Sequence, residues 1–400
     1  MPRNAAKRGA NGTGSIRKIT RTQNGKVYSY WQARYTEGFD PVTGKQIQHS
    51  ITGKTQKEVA QKLRQCTYDI DRGTYLSPTK LTVGDWVDDW VENFLTAVKP
   101  RTRDSYRTTA AVHIKPLLGA KKLQELSLRD VQLWINTLVN GSKKGKGLSP
   151  KTVKNVHGVL HKALEQACEL GYIAKNPATG TKLPKVVRKA ITPLNRDEVK
   201  KFVRFCRNQR FELIFLVTLF SGVREGEVLG LTWSCVDFEH DTITIDKQLQ
   251  KIRKGDGSYR LVPTKSSKSR IIRLAPYVMN LLRRQKSIQD RWRIEAGSAW
   301  SDEWGLVFTN ELGKHFSAQT LYLDFKKLAA LIGRPDARFH DLRHTYAVIK
   351  LENGDDIKTL QEDLGHYSAA FTLDVYGHVT EKMRKASAER MQDYIRCISA

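Results

Sequence analysis

Residues 176–193, NPATGTKLPKVVRKAITP, most constrain what this chain can become. Prolines at 177, 184 and 193 and a glycine at 180 prevent any helix or strand from running through them. A second break, GTYLSPTK, lies at 73–80. The chain therefore cannot be built on one continuous run of regular elements. Three segments are expected, at 15–72, 81–178 and 195–400, joined by linkers at 73–80 and 179–194 and preceded by a flexible basic tail at 1–14.

Each segment has its own periodicity. Asn24-Gly25 and the Asp40–Gly44 tract are turn signals around β-type runs such as Val27–Trp31. They predict a three-stranded antiparallel sheet, closed by a helix over Lys54–Ile70. Residues 81–178 read as all-helical. Thr82 caps one helix, Pro100 opens another, and Pro116–Gly119 breaks the chain. Leu128–Val139 and Ser149–Leu170 follow as amphipathic helices. From Asn195 the pattern is mixed: a helix over Arg196–Ser221, strands over 240–275 around Gly255-Asp256-Gly257, then helix to the end. The predicted fold class is multidomain α+β. It comprises a small sheet-plus-helix domain, an all-helical domain, and a mainly helical domain with a small antiparallel sheet.

Charge adds a partner. The 400 residues carry 68 Lys+Arg against 41 Asp+Glu, a formal +27. Residues 1–80 account for +10 of this and residues 81–190 for another +10, leaving +7 for the longer remainder. Such an excess predicts a polyanion, and nucleic acid leads over an anionic membrane surface. No apolar run approaches the roughly 18 residues of a membrane span. Five scattered cysteines without a C-x-x-C fit a reducing cytoplasm rather than a disulfide framework or zinc site.

Four short boxes in the last segment carry chemistry. The first is Gly222-Val223-Arg224-Glu225-Gly226-Glu227, where an Arg sits three residues before an acid that can orient it. The second is His340-Asp341-Leu342-Arg343-His344. His340 and His344 have the i, i+4 spacing of zinc peptidases, but 341 is Asp where that motif has Glu, and no third ligand follows. The third is Leu364-Gly365-His366, and the fourth is Asp374-Val375-Tyr376-Gly377-His378. Taken singly, these are a surface ion pair, a polar helix, a turn or helix start, and a core tyrosine.

In this order and spacing they resemble the tyrosine recombinases, the phage-integrase family. The likeness extends to G-x-R-x-x-E-x-L-x-L-x-W, H-D-L-R-H-T-x-A, L-G-H and T-x-x-x-Y-x-H. Residues 81–178, with R-T-x-x-x-Y, H-I-x-P-x-L-G and L-S-P-K-T-V, look like that family's helical core-binding domain. Residues 15–70 look like the arm-type DNA-binding sheet of integrases from phages and conjugative transposons.

The resemblance implies a DNA strand transferase that integrates and excises a mobile element through a covalent 3′-phosphotyrosine. Tyr376 would be the nucleophile. Arg224 and Arg343 would hold the phosphate's non-bridging oxygens, taking the part metal ions play elsewhere. His340 would be the acid–base group, His366 a phosphate donor, and Glu227 a support. A hairpin lysine would protonate the leaving 5′ oxygen. Lys265 fits the K-[ST] context best, with Lys268 the alternative. Lys143, Lys144, Lys146, Lys182, Lys185, Arg188 and Lys189 would contact DNA phosphates. No metal, cofactor or ATP is expected. The expected partners are double-stranded DNA at core and arm sites, three further copies in a tetramer, and an accessory directionality factor, in the cytoplasm of a bacterial host. A type IB topoisomerase-like enzyme and a non-catalytic DNA-binding regulator are the alternatives.

Overall fold

The computed structural model describes residues 15–23, 26–73, 75–141, 145–187, 191–252, 258–264, 268–365 and 380–399, with backbone alone at 23 and 380–387. The Asn24-Gly25 and Gly255-Asp256-Gly257 turns lie outside these residues. The chain forms two compact units, Met1–Val187 and Arg188–Ala400.

The first unit holds two separate apolar cores. Strands β1 (Ser15–Gln23), β2 (Lys26–Phe39) and β3 (Gln46–Gly53) form an antiparallel sheet in that order. Asp40 Oδ1 accepts from the amides of Val42 and Thr43 at 2.8 Å, closing the turn before β3. Period-two alternation buries Ala33 and Tyr35 against Val59 and Leu63 of α1 (Gln56–Asp71). The opposite face carries Arg17 beside Gln32 and Arg21 beside Tyr28.

The helical part comprises α2 (Val83–Asn93), α3 (Pro100–Thr109), α4 (Lys115–Leu118), α5 (Leu128–Asn140) and α6 (Pro150–Glu169). Thr82 and Asp85 form the capping box of α2. Trp86 is buried, and its indole donates to the Ala163 carbonyl at 2.7 Å. The break expected over Pro116–Gly119 falls at its last residue rather than at the proline. A π turn over Ala110–Ile114 joins α3 to α4 and shifts the hydrogen-bond register where proline lacks a donor. The helix ends only at Gly119.

The second unit is built around the buried helix α8 (Glu212–Ser221). The rings of Phe202, Phe215, Phe325 and Phe339 meet there at centroid distances of 5.7–6.2 Å. The single helix expected over Arg196–Ser221 is two. Helix α7 (Arg196–Cys206) stops where Asn208 takes φ +61°, and the Asn208 amide donates to the Glu212 carboxylate. Helix α9 (Glu225–Leu229) follows α8.

The strands sort into two sheets. In one, β4 (Val236–Asp237), β5 (Thr242–Ile245) and β8 (Arg270–Arg273) pair in that order. In the other, β6 (Lys247–Lys251) pairs with β7 (Tyr259–Pro263). Helix α10 (Pro276–Ala296) precedes a stretch, 297–317, that is not the continued helix the sequence suggested. Glycines 297, 305 and 313 bend it with positive φ. Helices α11 (Ala318–Leu331), α12 (Phe339–Glu352), α13 (Ile357–Leu364) and α14 (Thr380–Ser399) complete the unit.

Gly222 ends α8 at φ +68°, and a Cβ there would lie 2.4 Å from the Tyr346 ring. Left-handed strain of about 1–2 kcal/mol adds to overpacking of about 1–3 kcal/mol. Gly222→Ala is therefore expected to lower the melting temperature of this unit by roughly 5–15 °C, read by calorimetry. A variant melting within about 2 °C of wild type would overturn both the strain and the overpacking.

Candidate active site

The site begins where α8 ends. Arg224 does not share the face of α9 with Glu227, as the spacing suggested. It is the N-cap, and Glu227 is the third residue of the helix. The Glu227 carboxylate accepts from the Arg224 amide at 2.9 Å and from Arg224 Nη1 at 2.6 Å. Its other partner is Arg270, the first residue of β8, which grips it through Nη2 at 2.5 Å and Nη1 at 3.1 Å. Burial works against the charge of Glu227, but Arg270 and then Arg224 outweigh it and hold the carboxyl at about 2. Arg224 keeps 28% of its side chain exposed. Its Nη2 donates to the Gly365 carbonyl at 3.3 Å. A guanidinium has five N–H donors, so three remain for a ligand.

Helix α12 supplies the next groups. Its start is fixed by a capping box in which Asp341 accepts from the Arg338 amide at 2.8 Å. Arg343 is 2% exposed. It donates to the Gly222 carbonyl at 2.7 Å and to the Leu364 carbonyl, so it joins the ends of α8 and α13. His340 and His344 meet edge-to-face with centroids 4.8 Å apart. Desolvation beneath the His340 ring, with His344, Arg343, Arg224 and Arg338 around it, pushes its imidazole down to about 4. The residue is nevertheless exposed to solvent. Burial likewise lowers His344 to about 4, against the opposing charge of Asp341. Both rings are neutral at physiological pH, and a neutral imidazole can accept a proton.

Gly365 caps α13 at φ +60° and directs its carbonyl to Arg224. The structure thus brings Arg224, Glu227, Arg343 and His340 together around the end of α8 and the residue before His366. His366, Tyr376 and Lys265 lie outside the described residues. Lys268 is exposed, and its carbonyl accepts from the buried Thr264 hydroxyl at 3.0 Å. Of the cations expected on DNA, Lys143, Lys144, Arg188 and Lys189 lie outside the described residues. Lys146, Lys182 and Lys185 are exposed in the first unit. Gln132 of α5 pins the Lys182 backbone, accepting its amide at 2.9 Å. No group of His, Cys, Asp and Glu suited to a metal occurs among the described residues.

Sequence reasoning missed Arg270. One signal was available: Arg270-Ile271-Ile272-Arg273 is a short strand in which Ile272 is buried and Ile271 exposed, so alternation turns Arg270 inward. A charge on an inward strand position asks for a buried partner.

Residues 193–383 match the phage integrase family, and residues 82–139 match the phage integrase N-terminal SAM-like domain. Together these spans cover more than half of the chain. A tyrosine recombinase XerC-like protein of Caldanaerobacter subterraneus subsp. tengcongensis is 29% identical over 394 residues, covering 94% of this chain and 99% of that protein. The ICEBs1 integrase of Bacillus subtilis is 24% identical over 387 residues, covering 95% and 100%. Among solved structures, the Tn1549 transposon integrase in complex with a circular intermediate DNA shares the fold at a TM-score of 0.65 and 22% identity, over 78% of this chain and all of that one. A lambda integrase tetramer bound to a Holliday junction aligns with a TM-score of 0.54 and 19% identity, over 87% and 93%. With the ordered sequence boxes, these matches identify the chain as a member of the phage integrase family of tyrosine recombinases.

Proposed function

We propose that this chain is the integrase of a mobile element, a site-specific recombinase that cuts and rejoins DNA through a 3′-phosphotyrosine. The observation that carries this reading is the convergence of Arg224, Glu227, Arg343 and His340 from separate sequence boxes into one cationic cluster with a neutral imidazole at its edge. Family membership favours recombination over topoisomerase-like relaxation or a purely regulatory role.

In the proposed step, the Tyr376 oxygen attacks the scissile phosphorus as His340 takes the phenolic proton. A P–O bond to tyrosine forms and the bond to the 5′ oxygen breaks. Lys265, or Lys268 in its place, protonates that leaving oxygen. Arg224 and Arg343 balance the charge gathering on the non-bridging oxygens, and His366 donates a further hydrogen bond. Glu227 aims Arg224. The phosphotyrosine conserves the broken bond's energy, so the reverse attack reseals DNA without ATP.

The remaining features take their places around this step. Lys143, Lys144, Lys146, Lys182, Lys185, Arg188 and Lys189 neutralise phosphates near the core site. The outer face of β1–β3 reads arm sites in a major groove. Helix α14 exposes Met391, Tyr394, Ile395 and Ile398, an apolar set fitted to a neighbouring copy in a tetramer. An accessory directionality factor selects excision, in the cytoplasm of a bacterial host.

The test is a nicked suicide duplex carrying the junction of the element that encodes the chain, incubated in chelator. A covalent protein–DNA product mapped to Tyr376 is expected. Absence of any adduct, or an adduct on another residue, overturns the reading.

A further inference from the structure

We propose that Arg270 is a positioning residue for strand cleavage: it ties Glu227, the start of β8 and the C-terminal end of α13 into one block, so that Arg224 meets the phosphate in a fixed orientation. The inference rests on the proposed cleavage reaction and goes beyond the seven groups given roles in it.

Arg270 is 90% buried, and it spends its guanidinium on two elements. Nη1 and Nη2 take both oxygens of Glu227, the fork geometry that a lysine cannot copy. Nε donates to the Asp363 carbonyl in the last turn of α13 at 2.7 Å. Its aliphatic stem lies under Gly365, where a Cβ would come within 3.1 Å of Arg270 Cδ. Gly365 in turn accepts from Arg224, and Arg224 donates to Glu227. The contacts close a ring: Arg224, Glu227, Arg270, the end of α13, and back to Arg224.

Three consequences follow from the ring. Arg270 meets both carboxylate oxygens, so Glu227 need not draw Arg224 further from the surface, and Arg224 retains donors for a ligand. Two guanidiniums share one carboxylate, so the cluster keeps a net positive charge toward DNA. The block also sets where neighbouring chemistry begins. Arg270 is two residues after Lys268, whose carbonyl Thr264 holds. It also supports the residue immediately before His366. One side chain thereby ties the start of β8, two residues after Lys268, to both Glu227 of the arginine box and Gly365.

The experiment uses the full chain and the nicked suicide duplex, reading single-turnover adduct formation and, separately, duplex affinity. Arg270→Gln is expected to slow cleavage about 100-fold while its Kd for the duplex stays within about threefold, since the guanidinium is spent on Glu227 and Asp363. Arg270→Lys is expected to regain part of the rate, because it restores charge to Glu227 but not the fork and the Asp363 bond together. Combined with Glu227→Gln, Arg270→Gln is expected to add less than about threefold, since both changes break the same ring.

The inference is overturned if Arg270→Gln cleaves within about threefold of wild type, if cleavage and binding fall in proportion, or if the two substitutions multiply. Should Arg270→Gln fail to fold, Arg270→Lys decides: a folded, slowed enzyme supports the proposal and a wild-type rate overturns it. A wild-type chain that forms no adduct overturns the cleavage reading first, and the inference with it.

Discussion

Tyr376→Phe is expected to yield no covalent protein–DNA product while binding the same duplex as tightly as wild type. The substitution removes one oxygen and keeps the ring and every cation proposed to hold the phosphate. Loss of a nucleophile from a concerted site costs on the order of 10⁴-fold or more. The described tyrosine beside the site cannot stand in for it. Tyr346 lies on α12, and its hydroxyl donates to the Asp363 carboxylate at 2.9 Å. Burial, reinforced by the negative charge of Asp363, pushes its ionisation well above the usual phenol range. A nucleophile needs the opposite environment: cations to stabilise a phenolate and a neutral base to receive its proton. In the proposed step the cluster around His340 supplies both. Adduct formation is read by gel shift under denaturing conditions and binding by fluorescence anisotropy. Wild-type adduct yield from the Phe variant would place the nucleophile elsewhere.

How much of this was legible before the structure depends on how far apart the interacting residues lie. Local signals were read well. Thr82 with Asp85, Ser149 before Pro150, and the sheet over 15–53 are decided within a few residues, by capping geometry and period-two alternation. The four boxes were legible as an ordered pattern. Their mutual geometry was not. Arg343 reaches carbonyls at positions 222 and 364, and Arg270 reaches a carboxylate at 227 and a carbonyl at 363. Those partners are backbone atoms, or lie more than 40 residues away, and neither leaves a periodic trace. Helix boundaries were hidden for a related reason. Pro116 reads as a terminator by its local chemistry, but the π turn before it removes the conflict. The end of α7 at Asn208 depends on a side-chain acceptor, Glu212, that is itself held by Arg284 of α10.

The second large effect concerns Arg343, where stability and chemistry are joined in one side chain. Its guanidinium is buried and bridges the carbonyls of Gly222 and Leu364. Arg343→Ala would leave two buried acceptors unsatisfied and open a cavity between α8, α12 and α13. A loss of about 3–5 kcal/mol is expected, lowering the melting temperature by roughly 6–15 °C. Cleavage should fall by about 10³-fold or more, since one of the two arginines proposed to hold the phosphate is gone. Arg343→Lys separates the two roles. An ammonium fills much of the space and keeps the charge, so a good part of the stability should return. It cannot reach both carbonyls and also present a planar pair of donors to a phosphate, so the rate should stay near that of the alanine variant. Calorimetry and single-turnover cleavage on the same preparations would check both expectations. If lysine restored the rate together with the melting temperature, charge alone would be the requirement, and the fork geometry at the junction of these three helices would serve only the fold.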